Sequence, residues 1–170
     1  MKKILVVLWF FSTSLYAKDA KPSYESMIQP AIYSLTMVMI HDVVSPPVSA
    51  RYYAYCMVGA YNIVSHNDPG ILPPASIITN YTPVKITSPK YDYQIAAIYC
   101  IYESGRLFLP SGFRLKDNED KFIALLKKSK ISQKLINAST AVGKDVAAQI
   151  VEWSKGDSYN KLSAMLHYTP

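Results

Sequence analysis

Apolar residues recur at three- and four-residue spacing through most of the chain, and prolines divide this pattern into separate helices. Met27, Ile28, Ala31, Ile32, Leu35, Val38 and Met39 predict a helix over 24–42. Pro30 interrupts it, so the regular part is expected to begin there, where a missing N–H at the first helical position costs nothing. Asp42–Val44 reads as a short break. Ser45-Pro46-Pro47 then reads as a helix start, with Ser45 as cap and Pro46 in the first turn. The second helix runs from about Pro47 to Ser65. Its small residues Ala50, Ala54, Gly59 and Ala60 would admit a close neighbour.

A third helix is predicted from Asp92 to about Leu109, with Ile95, Ala96, Ile98, Tyr99 and Tyr102 as its buried side. Pro110-Ser111-Gly112 ends it. Asp117 or Asn118 opens a fourth helix through Lys130, with Phe122, Leu125 and Leu126 inward. Ser132 caps a fifth that continues to about Lys155 and carries the stripe Leu135, Val142, Val146, Ile150 and Trp153. Gly143 in its interior costs about 1 kcal/mol relative to alanine, which points to tight packing at that turn. Gly156-Asp157 ends this helix and opens a short sixth over 157–166.

Between the second and third helices the text changes. Pro69-Gly70, Pro73-Pro74, Pro83 and Pro89 punctuate residues 67–90, and only Ser76–Thr79 has the makings of a short turn or strand. This predicts a long ordered loop, either a surface excursion that wraps the helices or a binding loop. The expected fold is therefore all-α: a bundle of five to six helices with one long Pro-rich loop, in a single domain over 18–170.

Residues 1–17 stand apart. Lys2 and Lys3 precede a continuous apolar run from Ile4 to Phe11, and smaller residues follow to Ala17. That is the layout of a secretory signal peptide cleaved after Ala17, although Leu15 fits its position less well than alanine would. The apolar run is too short to span a bilayer. The mature chain is expected to be periplasmic or secreted, with no membrane span. Export implies an oxidising compartment. Cys56 and Cys100 fall on different helices, so a bridge and a pair of buried free thiols both remain open.

Composition adds limits. Half the residues are hydrophobic and 18% are charged, which supports a packed core and excludes a disordered chain. Fourteen tyrosines against five phenylalanines imply many rings at the core margin with their hydroxyls bonded or wet. The formal net charge is +6, and Lys2 and Lys3 supply two of those charges. The cluster Lys127, Lys128 and Lys130 reads as a solvated helix end. It lacks the aromatic platform or arginines of a nucleic-acid surface, so no nucleic-acid partner is expected.

Candidate chemistry is sparse. His41, His66 and His167 are not spaced as metal ligands. His41-Asp42 reads as a helix C-terminus, where a histidine favours the exposed carbonyls. Arg51 on an apolar helix needs an acidic partner, and Asp42 across the turn is the first candidate, with Asp157 the weaker one. Ser111 has no base or oxyanion donors beside it in sequence. There is no G-x-S-x-G elbow, no phosphate-cradling glycine loop and no H-E-x-x-H helix. No catalytic, cofactor-binding or metal residues are assigned.

Two stretches nevertheless carry a resemblance. In Met39 to Tyr55, His41-Asp42, Ser45-Pro46-Pro47 and Ala50-Arg51 precede a tyrosine- and alanine-rich helix. In Val142 to Tyr159, Gly143-Lys144-Asp145, Glu152-Trp153 and Gly156-Asp157-Ser158-Tyr159 follow in order, and the chain ends in Tyr168-Thr169-Pro170. The chain resembles the N-terminal helical region of bacterial proteins related to the vanadium-dependent haloperoxidases, in the superfamily of the type 2 phosphatidic acid phosphatases. The resemblance covers about residues 24–170. It implies an oxyanion pocket built from Lys-x6-Arg-Pro, Pro-Ser-Gly-His and Arg-x5-His segments. Arg51, Arg106 and Arg114 fit neither arginine pattern, and Pro110-Ser111-Gly112-Phe113 has phenylalanine where histidine is needed. The resemblance thus implies the front half of a larger helical domain, truncated or split. Vanadate or phosphate would bind in the missing C-terminal half, and this chain would be inactive alone. A C-terminal half or a second subunit is the implied partner. The alternative is a small exported helical module for binding or assembly.

Overall fold

The computed structural model describes residues 23–159 and 161. The signal segment 1–17, most of the expected helix over 157–166, His167 and Tyr168-Thr169-Pro170 lie outside the described residues. Within them the fold is all-α. Five helices follow in order: α1 Tyr24–His41, α2 Pro46–Asn67, α3 Tyr93–Phe108, α4 Lys116–Lys128 and α5 Gln133–Ser154. Short 3-10 turns stand at Pro74–Ser76, Gly112–Leu115 and Lys155–Asp157.

Helix starts follow local chemistry with two exceptions. Ser23, Asp92 and Ser132 each cap a helix by accepting backbone N–H bonds, as N-caps do. Ser45 sits at the N-cap of α2 in an extended conformation but makes no side-chain cap bond, contrary to expectation. Pro47 removes the second-position N–H, one of the two donors that such a cap can use. The fourth helix starts at Lys116 rather than at Asp117 or Asn118. The 3-10 turn Gly112–Leu115 runs straight into it, so no capping residue is used. Pro30 does not delay α1 either. It is exposed within the helix, and burial of Met27, Ala31 and Leu35 around it outweighs the lost hydrogen bond.

The end of α1 is a Schellman motif. Val43 N–H donates to Ile40 O at 3.1 Å and Val44 N–H to Met39 O at 3.0 Å. The motif places Val43 at φ 52°, a left-handed conformation that disfavours β-branched residues. The same device ends α4, with Lys130 at φ 58° and Ile131 N–H bonding Leu126 O. The cluster Lys127, Lys128 and Lys130 therefore marks a helix C-terminus, where lysines complement the exposed carbonyls.

α3 is the centre of the bundle, packed against α5, α2 and α1. It is buried from Ile95 to Ile98 and from Cys100 to Gly105, so nearly all its faces are covered rather than one side. A helix buried all round is a core helix. Its contact with α5 depends on Gly143. A Cβ there would stand 2.5 Å from the Ala96 carbonyl and 3.0 Å from the Cys100 backbone nitrogen. On the other side a Cβ at Gly59 of α2 would stand 2.8 Å from Cys100 Sγ. Cys56 and Cys100 are buried free thiols, so the alternative of a bridge does not describe this structure. Burial pushes the Cys100 thiol up to about 12 and raises Cys56 as well, which keeps both unreactive.

Two carboxylates share this interior among the described residues. Glu103 is buried and held by Arg106 through bonds of 2.6 and 2.7 Å. Glu119 on α4 accepts the Tyr99 hydroxyl of α3 at 2.9 Å. Pairing is what makes buried carboxylates tolerable.

Two substitutions test this architecture. Gly143→Ala gains about 1 kcal/mol of helix propensity, yet it should lower stability by about 1–3 kcal/mol net because the obstructing atoms are backbone. A urea midpoint that stays or rises contradicts the close approach. Val43→Gly should raise stability by about 1 kcal/mol by relieving the left-handed strain, and an unchanged or lower midpoint contradicts that strain.

Candidate functional site

Loop 67–90 packs along α5 and is held to α5 and α2 by side-chain bonds. The Gln149 amide clamps one residue of the loop, accepting the Lys85 backbone N–H and donating to its carbonyl, both at 3.0 Å. The buried Tyr81 hydroxyl donates to Asn62 at 3.1 Å. The Tyr61 hydroxyl donates to Leu72 O at 2.6 Å, and Asn67 donates to the Tyr91 hydroxyl at 2.6 Å. The loop is thus an ordered excursion that wraps the helices, as its prolines suggested. Between it and the end of α5 lies a cavity of about 700 Å³, which Tyr55, Trp153 and Asp157 help to line.

An aromatic cluster backs this cavity. Trp153 meets Tyr81 edge-on at 5.0 Å between centroids and Tyr55 at 6.1 Å. Tyr55 in turn stacks on Phe108 at 5.0 Å. Arg51 and the Tyr55 hydroxyl both bond Asp157, and the Arg51 guanidinium lies 4.4 Å above the Tyr159 ring.

This corrects the expected pairing of Arg51 with Asp42. Asp42 instead accepts the Ser111 backbone N–H at 3.0 Å and tethers the turn after α3 to the end of α1. Burial favours its neutral form, but Ser111, His41 and Arg114 outweigh this and hold its carboxyl below the ordinary value. The Arg51–Asp157 pair spans 106 positions, a separation at which no local pattern reports a contact.

The remaining sequence candidates are dispersed. His41 is the exposed last residue of α1, as expected, and His66 is exposed in the last turn of α2. Ser111 belongs to the turn tethered by Asp42. Gly112 is needed there for packing, since a Cβ would stand 2.4 Å from the Arg106 carbonyl. Among the described residues no group of three or more His, Cys, Asp or Glu is placed to hold a metal. The three arginines do not converge. Arg51 faces Asp157, Arg106 faces Glu103, and Arg114 is close enough to Asp42 to stabilise its charge.

A different surface stands on α1. Tyr33, Met37 and Ile40 lie on one stripe and are 64%, 44% and 63% exposed, and Val43 beyond them is 88% exposed. Ile40 is a ridge between two shallow grooves. One, of about 290 Å³, runs past Tyr53 of α2; the other, of about 430 Å³, runs past Arg114 and Asn118. A ridge between grooves is the shape that a packed helix meets. The sequence pattern pointed only to the buried side of α1. No helix among the described residues is long and apolar enough to cross a membrane.

The fold is similar to that of a bacterial vanadium-dependent iodoperoxidase, with a TM-score of 0.75 and 28% sequence identity. The match covers 85% of this chain and 35% of the iodoperoxidase chain. The chain therefore has a haloperoxidase-like helical fold and spans about a third of that neighbour's length. No protein-family profile and no curated protein matches it.

The Asp157 contact has a pH signature. Burial raises its carboxyl, but the Tyr55 hydroxyl, the Tyr159 backbone N–H and Arg51 outweigh this and leave it below the ordinary value. With the folded value depressed, the contact's stability is complete above the unfolded carboxylate range near pH ~4 and is lost as pH falls through the folded value. Asp157→Asn should cost no more than about 1 kcal/mol at neutral pH, since both side chains are about a third exposed. It should also flatten the loss of stability on acidification. Urea titrations at neutral and acidic pH measure both, and an unaltered acid dependence in the variant refutes the assignment.

Proposed function

We propose that this chain is the N-terminal helical portion of an exported protein resembling the vanadium-dependent haloperoxidases and acid phosphatases, in the type 2 phosphatidic acid phosphatase superfamily. On this reading it is inactive alone. The observation that carries the proposal is the unequal match: most of this chain superposes on the iodoperoxidase, while most of the iodoperoxidase has no counterpart here.

Two features support it. An oxyanion such as vanadate or phosphate is held by several cations aimed at one point, and the arginines here do not converge: Arg51 and Arg106 face separate carboxylates, and Arg114 stands near a third. The α1 stripe is the second. Large exposed apolar patches mark interaction surfaces, and this one ends in a strained valine where glycine would sit without cost. On this reading the stripe receives a helix from the rest of the domain, which also supplies the oxyanion pocket.

The purified chain, given vanadate, iodide and hydrogen peroxide, or given a phosphate monoester, is expected to show no turnover above the protein-free control. Turnover that survives purification and disappears in Arg51→Ala overturns the proposal. A second reading, an exported binding module, draws on the preformed cavity under loop 67–90.

A further inference from the structure

The cavity under loop 67–90 is preformed. Its loop wall is fixed by the Gln149 clamp on Lys85 and by Tyr81, and the Trp153 indole N–H points to Asn80 O at 3.5 Å. Asn80 itself holds φ 60° at the rim. Asparagine is one of the few residues that adopt this left-handed conformation readily. The volume, about 700 Å³, lies within the range of small-molecule sites.

The charges of the lining are already answered. Asp157 accepts from Arg51, Tyr55 and the Tyr159 backbone N–H, and Glu152 is paired with Lys155. No lysine or arginine lines the cavity among the described residues. Among the described residues an anionic ligand would find no counter-charge there, and a cationic one would compete with cations already in place. The groups left to a ligand are neutral. Thr79, Asn80 and Thr82 are exposed along the loop, and none of their side chains bonds to protein among the described residues. The half-buried Trp153 lines the same cavity.

We propose that this cavity binds a neutral pyranose sugar, with Trp153 as its stacking wall and Thr79, Asn80 and Thr82 as its hydrogen-bonding edge. The weakly positive C–H face of a sugar ring suits the negative face of an indole. Hydroxyl and amide side chains offer both donors and acceptors to ring hydroxyls. The site is separate from any oxyanion chemistry and does not depend on the haloperoxidase-like reading.

The chain has two tryptophans, Trp9 and Trp153, so Trp9→Phe in the full chain leaves Trp153 as the only indole reporter. Titration with cellobiose, N,N'-diacetylchitobiose and maltose is followed by its emission. At least one of these sugars should give a saturable change with a dissociation constant on the order of 1 mM. Choline and inorganic phosphate should give none. Thr79→Ala with Thr82→Ala should weaken the sugar response about tenfold with unchanged circular dichroism. Asn80→Gly, which the positive φ favours, should weaken it without disturbing the fold. The proposal fails if no sugar saturates, if choline or phosphate responds as strongly, or if both variants bind like the parent.

Discussion

The backbone contact between α3 and α5 at Gly143 is the constraint on which the rest of the structure depends. Only a residue without a side chain lets the Ala96 carbonyl and the Cys100 backbone nitrogen come so near. With α5 this close, α3 is enclosed on both sides, and α2 closes the other flank where Gly59 meets Cys100. Interiors packed at this density yield little to added atoms. The position of α5 then fixes where Trp153, Gln149 and the following turn meet loop 67–90. The cavity is thus set by a glycine that does not line it.

Electrostatics divide the molecule. Inside, Glu103 is paired with Arg106 one turn along α3, and Glu119 accepts the Tyr99 hydroxyl and so ties α4 to α3. At the surface, Asp42 and Asp157 each tie down a turn, one after α3 and one after α5. Every arginine is engaged or shielded by one of these acids. A fold that places its arginines this way puts them to architectural use. The two open features lie on different parts of the surface. The α1 stripe is apolar and ridged, suited to another helix, while the loop cavity is polar at one edge and aromatic behind.

Much of this was legible in the chain because it is local. Periodicity located five helices, and Ser23, Asp92 and Ser132 illustrate why ends are readable: a cap needs only the next three residues. The failures were also local rules, outweighed. Pro30 lost to the buried residues around it, and Ser45 makes no cap bond at a helix start that carries two prolines. The resemblance of residues 39–55 and 142–159 to haloperoxidase relatives anticipated the structural neighbour. It depends on the order of residue types along the chain, which survives without coordinates.

By itself the sequence determined the helical class, the break at Asp42–Val44, the ordered loop and the lack of any local catalytic motif. These follow from hydrogen bonds and side-chain spacing within a few residues. Tertiary structure alone decided that Arg51 meets Asp157 rather than Asp42, that α3 is buried on nearly every face, and that the outer stripe of α1 is bare. It also made the cavity from residues about seventy positions apart. Such outcomes depend on which helix faces come together, and that is a property of the whole packed core.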